Sequence, residues 1–341
     1  MSTDTIEVRE KHRFDTGALH TWMKGNVDGF SGELSVQEFA GGQSNPTYKL
    51  EAGGRRYVLR RKPAGKLLKS AHAVDREFRV LHALQGTGVP VPKVYSLCTD
   101  NEVIGSWFYV MDYLDGRVIW DSTAKGKHSR QDRHDMWHAA VQAIASLHKV
   151  DFQKVGLDDY GKHSDYIARQ IKRWAGQYEY TKTTDNPWMD KLIDYLPAHI
   201  PGDETCTIVH GDCHLANMMM HRDRFEVIGL LDWELSTLGN PLSDLAYLIR
   251  PYRDPELIPH LDTLGFPPEE ELVQAYCQET GRNSIKDWDY YLAFNFFRLS
   301  GIFQGIARRG LDGTAAGNAT GLAEAQAIKM ARVGWEQIDK T

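Results

Sequence analysis

The stretch IVHGDCHLANMMM, Ile208 to Met220, joins an apolar run to a polar turn and then returns to an apolar run. Within it, Asp212 follows a His-Gly pair, and Asn217 comes five residues later. Fifteen residues beyond Asn217, the segment FEVIGLLDWE ends a second apolar run with Asp232. Short apolar runs bounded by polar loops are typical of strands that hold loop residues in fixed directions. The pattern predicts a site built from a carboxylate, a carboxamide and a second carboxylate.

These three residue types favour one kind of chemistry. An aspartate on a rigidly held loop is suited to accept the proton of a hydroxyl group. An Asn oxygen beside an Asp carboxylate is a ligand pair suited to Mg²⁺, which commonly also binds phosphate oxygens. Asp212 as a base, with Asn217 and Asp232 as metal ligands, therefore predicts phosphoryl transfer to a hydroxyl group. A single His-Gly-Asp turn is more often structural, so the prediction depends on all three residues occurring in order.

Composition limits the possible partners and the compartment. The 341 residues are enough for two lobes, and 42% hydrophobic with 25% charged residues is ordinary for a soluble globular protein. A net charge of −6 without a long basic run argues against nucleic acid or an anionic membrane as the main partner. No apolar signal segment or membrane span is expected. The four scattered cysteines suit a reducing cytoplasm, and the oligomeric state stays open.

The chain changes character near residue 114. Residues 1–113 contain alternating strand patterns, a Gly53-Gly54 hairpin turn, and one helical stripe in SAHAVDREFRVLHALQG. Residues 114–341 are mainly helical in pattern, apart from the short strands around the loops quoted above. We predict an α+β fold with two lobes. A small antiparallel sheet with one main helix forms the N-lobe, and a larger, mostly helical C-lobe carries the catalytic and metal loops.

The order of the motif resembles that of protein kinases. Their H-R-D-x-x-x-x-N loop and the later metal-binding Asp are similar to His210-Gly211-Asp212, Asn217 and Asp232 in this chain. Gly211 in place of Arg, and Trp233-Glu234 in place of Phe-Gly, are features of the aminoglycoside phosphotransferase-like branch. Its H-G-D-x-H-x-x-N form is completed by His214. The resemblance implies a protein-kinase-like fold that uses ATP and Mg²⁺.

Such a fold needs a loop over the phosphates. The segment FAGGQSNPTYKL offers Gly41 and Gly42 for close backbone approach, with Ser44 and Asn45 as further hydrogen-bond donors. The segment does not match G-x-G-x-x-G, and an ordinary hairpin turn is the alternative.

The N-lobe also needs a cation on the phosphates and an edge for adenine. In YVLRR, Arg60 shares a strand face with Val58 and occupies the place of the kinase Lys. Arg61 or Lys62 replaces it if the strand phase is shifted by one. Glu77 on the following helix is the expected carboxylate partner, and a solvated helix face is the alternative.

In FYVMDYLDG, the backbone from Asp112 to Leu114 is expected to meet the adenine edge. A strand and a turn without contact to a nucleotide is the alternative.

Longer blocks narrow the resemblance. They are YVLRRKPAGKLLKSAHAVDREFRVLHAL, HGDCHLAN, LLDWELSTLGNPLSDLAYL and FFRLSGIFQGIARR. Together they resemble the kinase-like domain that is fused to some acyl-CoA dehydrogenases and also occurs as free-standing bacterial proteins. The resemblance spans about residues 30–335. It implies a phosphotransferase acting on a hydroxy acid or a hydroxyacyl-CoA. It also implies that Asp244 is a structural residue that steadies the catalytic loop.

The helical segment DWDYYLAFNFFRLSGIFQGIARR suggests how an acid would be bound. Tyr291, Asn295 and Arg298 lie on one predicted helix face, so an Arg among aromatic residues would suit an acidic, partly apolar substrate. A core helix with a buried Arg is the alternative. Two other functions stay open: a kinase for an amino alcohol, a sugar or an aminoglycoside, and a pseudokinase that binds nucleotide as a partner module.

Overall fold

The computed structural model describes residues 5–40, 45–63, 73–121, 128–254, 256, 264–313 and 320–339. The strands in these ranges are, in chain order, β1 (Thr5–Ile6), β2 (Ser35–Phe39), β3 (Thr47–Ala52), β4 (Arg55–Arg61), β5 (Val94–Cys98), β6 (Phe108–Asp112), β7 (Gly116–Val118), β8 (Thr207–Val209), β9 (Met218–His221), β10 (Val227–Leu230) and β11 (Thr237–Gly239). The helices are α1 (Thr16–Asn26), α2 (Val74–Leu84), α3 (Asn101–Ile104), α4 (Arg130–His148), α5 (Tyr166–Thr181), α6 (Pro187–Ala198), α7 (Leu242–Ile249), α8 (Glu269–Thr280), α9 (Trp288–Leu311) and α10 (Thr320–Ile338).

The chain divides into two compact units. The first comprises residues 1–128, 153–157 and 214–236, and the second comprises residues 129–152, 158–213 and 237–341. The predicted boundary at residue 114 assigns everything after it to the C-lobe. The segment 214–236, which carries Asn217 and Asp232, instead groups with the first unit.

The first unit is built on a six-stranded antiparallel sheet. Its strand order is β1-β2-β3-β4-β6-β5. Gly53 and Gly54 connect β3 to β4 with positive φ angles of 55° and 77°, which suit glycine in a tight hairpin. A separate three-stranded sheet, β10-β9-β7, pairs residues 116–118 with residues 219–221. This pairing holds the two distant segments of the unit together.

Alternation along β4 assigns its side chains to two environments. Tyr57 and Leu59 pack into an apolar cluster with α1 and the neighbouring strands. Val58 and Arg60 point to the opposite face, as period-two alternation requires. α2 lies next to β5 and β6 and buries Glu77, Val80 and Leu84. The strand phase used to predict the position of Arg60 is therefore confirmed.

The second unit is mainly helical. Its long α9 packs against α5, α6, α7 and α10, and most of its residues are buried. α4 packs against α8 and is capped by Ser129, whose hydroxyl forms a capping box with the Asp132 carboxylate. The two-stranded β8-β11 pair leads into the turn that carries Asp212. The sheet-rich first unit and the helical second unit confirm the predicted α+β fold.

None of the helices within the described ranges is long and apolar enough to cross a membrane.

Candidate active site

A buried arginine joins three carboxylates in the first unit. Arg60 is only 2% exposed. Its Nε lies 2.6 Å from Glu77 Oε2, its Nη2 lies 2.6 Å from Asp232 Oδ1, and Glu234 Oε2 is 3.9 Å from Nη2. Burial alone would lower the pKa of Arg60, but the charges of Glu77 and Asp232 outweigh it and raise that pKa. The guanidinium is thus permanently charged, and two of its nitrogens, Nε and Nη2, contact carboxylates at the same time.

Glu77 is fixed by more than its ion pair. The Asn45 amide donates to Glu77 Oε1 at 2.8 Å, and the Tyr109 hydroxyl donates to Glu77 Oε2 at 3.2 Å. Burial raises the pKa of Glu77, and the charge of Arg60 works against that rise. These contacts rule out a solvated helix face for Glu77. They also connect Asn45 to the site through Glu77.

Arg61 and Lys62 lie elsewhere. The Nε of Arg61 donates to the Ser106 hydroxyl at 2.7 Å, and its guanidinium stacks over Phe14. Lys62 lies over the Trp107 ring. Of these three basic residues, Arg60 is the one that pairs with Glu77 and Asp232. Gly42 and Ser44, which were predicted to contact phosphate, lie outside the described residues.

Asp232 lies in a turn and has a strained backbone conformation. Its φ of 66° and ψ of 65° are in the left-handed region, which is uncommon for a residue other than glycine and clusters at functional sites. The indole of Trp233 donates to the Leu230 carbonyl at 2.9 Å and locks the turn. The Asp232 side chain keeps 27% exposure, so a ligand can reach it.

Asn217 and Asp232 belong to connected segments. The amide of Leu231, next to Asp232, donates to the Asn217 carbonyl at 2.8 Å. Arg60, Glu77, Asp232 and Glu234 carry one positive and three negative charges, a net of −2. The Asp232 carboxylate of this negative cluster and the Asn217 amide are oxygen ligands of the types that Mg²⁺ prefers.

An apolar cleft lies in the same unit. It encloses about 510 Å³ including its open mouth. Its lining is Phe39, Thr47, Val58, Pro92, Met111, Asp112, Tyr113, Leu114, Met219 and Leu231. The backbone predicted to meet adenine, from Asp112 to Leu114, therefore borders an apolar cleft.

Two hydrogen bonds of Asp112 and one close approach at Gly229 shape this cleft. The Asp112 carboxylate accepts from the Tyr95 hydroxyl, and its amide donates to the Lys93 carbonyl at 2.8 Å. A Cβ added to Gly229 would lie 2.2 Å from Leu114 Cδ1. A glycine is therefore required at position 229 for Leu114 to approach β10 this closely.

The turn that carries Asp212 is clamped in the second unit. The amides of His210 and Gly211 donate to the two Asp244 oxygens at 2.6 and 2.9 Å, and Gly211 has a φ of 82°. His148 Nε2 lies 3.4 Å from the same carboxylate. Burial would raise the pKa of Asp244, but His148 and these amides outweigh it and hold the pKa below its usual value. This geometry agrees with the structural role expected for Asp244.

Asp212 itself is partly exposed. It is a hydrogen-bond partner of the Tyr247 hydroxyl. Burial, and to a smaller extent the Asp212 charge, raise the pKa of Tyr247. A carboxylate held at a fixed turn, with a hydroxyl beside it, is suited to orient another hydroxyl and accept its proton.

The predicted acceptor residues on α9 are in the interior. Tyr291, Asn295 and Arg298 are each at most 4% exposed. Arg298 Nη2 donates to the Gly211 carbonyl at 2.8 Å, and its Nη1 donates to Asn295 Oδ1 at 3.3 Å. The Asn295 amide in turn donates to the Ser243 and Tyr291 carbonyls, both at 3.0 Å. Because Arg298 and Asn295 bond within the protein, the structure favours the alternative, a core helix with a buried Arg.

Arg298 is instead a positioning residue for the Asp212 turn. Together with Asp244 it holds Gly211 from both sides, through the amide and the carbonyl. His148, which lies between Asp244 and Tyr276, was not predicted either. Its buried position at the end of α4 has no signal in the sequence beyond a His in an apolar stripe.

Comparison with known proteins identifies the family. Residues 35–293 match the Phosphotransferase enzyme family. Acyl-CoA dehydrogenase family member 10 of Mus musculus is 40% identical over 99% of this chain, and family member 11 of Homo sapiens is 39% identical over 91%. This chain spans only 32% and 41% of those proteins.

Solved structures agree with this assignment. A Ralstonia eutropha JMP134 protein, assigned by name to the aminoglycoside phosphotransferases, is 44% identical. It has a TM-score of 0.87, with 95% of this chain and 98% of that chain covered. The aminoglycoside phosphotransferase APH(4)-Ia, solved with ADP and hygromycin B, has the same fold at 14% identity. Its TM-score is 0.60, with coverage of 94% and 98%. The expected kinase-like fold is thus confirmed, and the chain belongs to the phosphotransferase enzyme family.

Proposed function

We propose that this protein transfers a phosphoryl group from ATP to a hydroxyl group of a small molecule. The observation that carries the proposal is the Arg60 guanidinium, which is buried, charged and held between Glu77 and Asp232. A fixed cation beside an exposed carboxylate is the pairing that binds phosphate and a metal ion together. Family membership supports the reaction class.

The apolar cleft is the proposed adenine site. Val58, Met111 and Leu231 offer apolar contacts to a flat ring, and the backbone from Asp112 to Leu114 offers polar groups at its edge. Arg60 would contact the phosphates, with Glu77 and Asn45 holding it in place. Gly42 and Ser44 remain proposed phosphate contacts. The proposed donor is ATP.

Asn217 and Asp232 are the proposed Mg²⁺ ligands. When bound, the ion neutralises phosphate charge that develops during transfer. Asp232 would contribute more than Asn217 because it supplies a negative charge.

Asp212 is the proposed base. It orients the acceptor hydroxyl and takes its proton as the hydroxyl oxygen bonds to the γ-phosphorus of ATP. The bond from that phosphorus to the bridging oxygen breaks, and ADP leaves with the bond's electron pair. Little covalent chemistry falls on the protein in this reaction class, so positioning dominates. Asp244 and Arg298 provide that positioning through Gly211.

A hydroxy acid, free or as its CoA thioester, is the proposed acceptor. The support is the name of the relatives, acyl-CoA dehydrogenases, which points to acyl-CoA chemistry. The rival acceptor is an aminoglycoside, and the name of the Ralstonia eutropha relative favours it. Function depends on the site and not on the fold, so both need a direct test.

The test is a coupled ADP-release assay with Mg-ATP. The acceptor panel contains hydroxy acids, their CoA thioesters, choline, homoserine and kanamycin. We expect turnover with a hydroxy acid or thioester and none with kanamycin. Kanamycin turnover alone would contradict the acceptor assignment and support the rival. Nucleotide binding without turnover on any acceptor would favour a pseudokinase. The Asp212→Asn variant is the matched control, because its loss of signal shows that the ADP comes from this site.

A further inference from the structure

Two histidines and a glutamate form a cluster outside the site described above. His134 and His138 are four residues apart on α4, so they lie on one helix face, and their ring centroids are 4.3 Å apart. Glu271 is in the first turn of α8, which packs against α4. All three belong to the second unit. The side chains are 40%, 23% and 41% exposed in that order, so solvent reaches each of them.

The potential ligand atoms converge on one point. His134 Nε2 lies 2.9 Å and His138 Nε2 lies 2.7 Å from the same oxygen, Glu271 Oε1. One ligand atom from each residue lies within 4.8 Å of the others. Zinc bonds of about 2.0–2.2 Å to nitrogen and oxygen place the ligands of a tetrahedral ion roughly 3.3 Å apart. A small rotation of the partly exposed Glu271 is therefore enough to admit an ion.

The surroundings favour a metal over a simple pair of hydrogen bonds. His134 Nδ1 lies 3.3 Å from Asp135 Oδ1, which also accepts from the Gln131 amide at 2.7 Å. When Nδ1–H donates to a carboxylate, the proton is on Nδ1 and the lone pair of Nε2 points outward, where it can bind an ion. This arrangement is usual for histidines bound to metal. Two imidazoles and one carboxylate are also the protein ligand set of several zinc sites that keep a fourth position for water.

We propose that His134, His138 and Glu271 form a binding site for a divalent transition-metal ion, with Zn²⁺ as the best fit. Imidazole nitrogens suit Zn²⁺, whereas Mg²⁺ and Ca²⁺ prefer oxygen ligands. The ion joins α4 to α8, so it stabilises the folded second unit by binding it and not the unfolded chain. The site is independent of phosphoryl transfer.

The test uses full-length protein without an affinity tag, after removal of metal with a chelator. Zn²⁺ binding is measured by competition with a chromophoric chelator, and Co²⁺ absorption reports the ligand geometry. We expect one equivalent of Zn²⁺ bound by this site and a higher Tm in its presence. His134→Asn and His138→Asn should each weaken Zn²⁺ binding at least about 10-fold and abolish the rise in Tm. Even substitutions of residues that only orient a metal ligand typically weaken metal binding by about 10-fold or more.

Two control variants separate this site from others. His163→Asn removes an exposed histidine whose Nε2 is 3.5 Å from one carboxylate oxygen of Asp158, and it should keep the bound Zn²⁺. Asp232→Ala removes the proposed Mg²⁺ ligand and should also keep it. If His138→Asn does not fold, the more exposed His134→Asn and Glu271→Gln serve the same purpose. Equal Zn²⁺ affinity in the wild-type protein and the cluster variants, or no saturable binding, would overturn the proposal.

Discussion

The Asp244→Asn substitution tests the clamp on the Asp212 turn. Asp244 accepts two backbone amides, and an Asn side chain has one oxygen with which to replace them. One charge-assisted hydrogen bond is lost, at about 1.5–3 kcal/mol, and one buried amide is left unpaired, at a further cost of about 1–3 kcal/mol. We expect the free energy of unfolding to fall by about 2.5–6 kcal/mol at pH 7.

The same variant should change the dependence of stability on pH. The pKa of Asp244 is below its ordinary value of 3.8 in the folded protein. A lowered folded pKa stabilises the protein above the unfolded pKa, and this stabilisation disappears as pH falls through the folded pKa. The part of the stability difference that comes from the Asp244 carboxyl group should therefore be present above about pH 4 and shrink as pH falls below it.

Urea unfolding followed by tryptophan fluorescence at a series of pH values measures this difference, with the slope m checked for constancy. Hydrogen exchange at the His210 and Gly211 amides gives a local measurement, and it should be faster in the variant. Asp223→Asn is the control because Asp223 is exposed, and its effect should stay within about 0.5 kcal/mol. A loss below about 1 kcal/mol at pH 7, or a difference that is independent of pH down to pH 3, would refute the argument.

Four further predictions concern the proposed reaction. Asp212→Asn should lower kcat by about 10²- to 10⁴-fold while calorimetry gives an unchanged nucleotide affinity, and turnover near the wild-type rate would exclude Asp212 as the base. Asp232→Ala should abolish Mg²⁺-dependent ATP binding in titration calorimetry and Asn217→Ala should only weaken it; the reverse order would contradict their assignment. Arg298→Lys should lower kcat with little change in KM, because it moves the Asp212 turn, and a selective rise in KM for an acid would restore Arg298 as a substrate contact. Gly229→Ala should weaken ATP binding by narrowing the cleft, and equal ATP affinity would place adenine elsewhere.

Periodic and local features were readable from the sequence. The two-residue period of β4 placed Arg60 on the face opposite Tyr57 and Leu59. The motif spacing grouped Asp212, Asn217 and Asp232, and their joint role stays a prediction. The presence of α2 and its end just before Gly86 followed from its apolar stripe, although its start at Val74 and the burial of Glu77 did not. These features can be predicted from the sequence because they depend on residues a few positions apart in the chain.

Long-range contacts were not readable. α9 is buried on most sides, so its sequence has no solvent face from which the direction of Arg298 can be inferred. Its partner, Gly211, is 87 residues away in the chain. The pairing of His138 with Glu271 spans 133 residues, although the spacing of His134 and His138 on α4 is visible in the sequence. These contacts are set by tertiary packing and not by local preference.

The first unit consists of three separate segments of the chain, and this affects how it folds during its synthesis. Its last piece ends at Ser236, 108 residues after the first ends at His128. At about 5–20 residues per second, a ribosome needs roughly 5–20 s to make the missing part. During that interval β7 lacks its partner β9, and Arg60 has Glu77 but not Asp232. An amino-terminal fragment ending near residue 113 would keep the Arg60 cation with one of its three carboxylates, so we expect it to depend on chaperones.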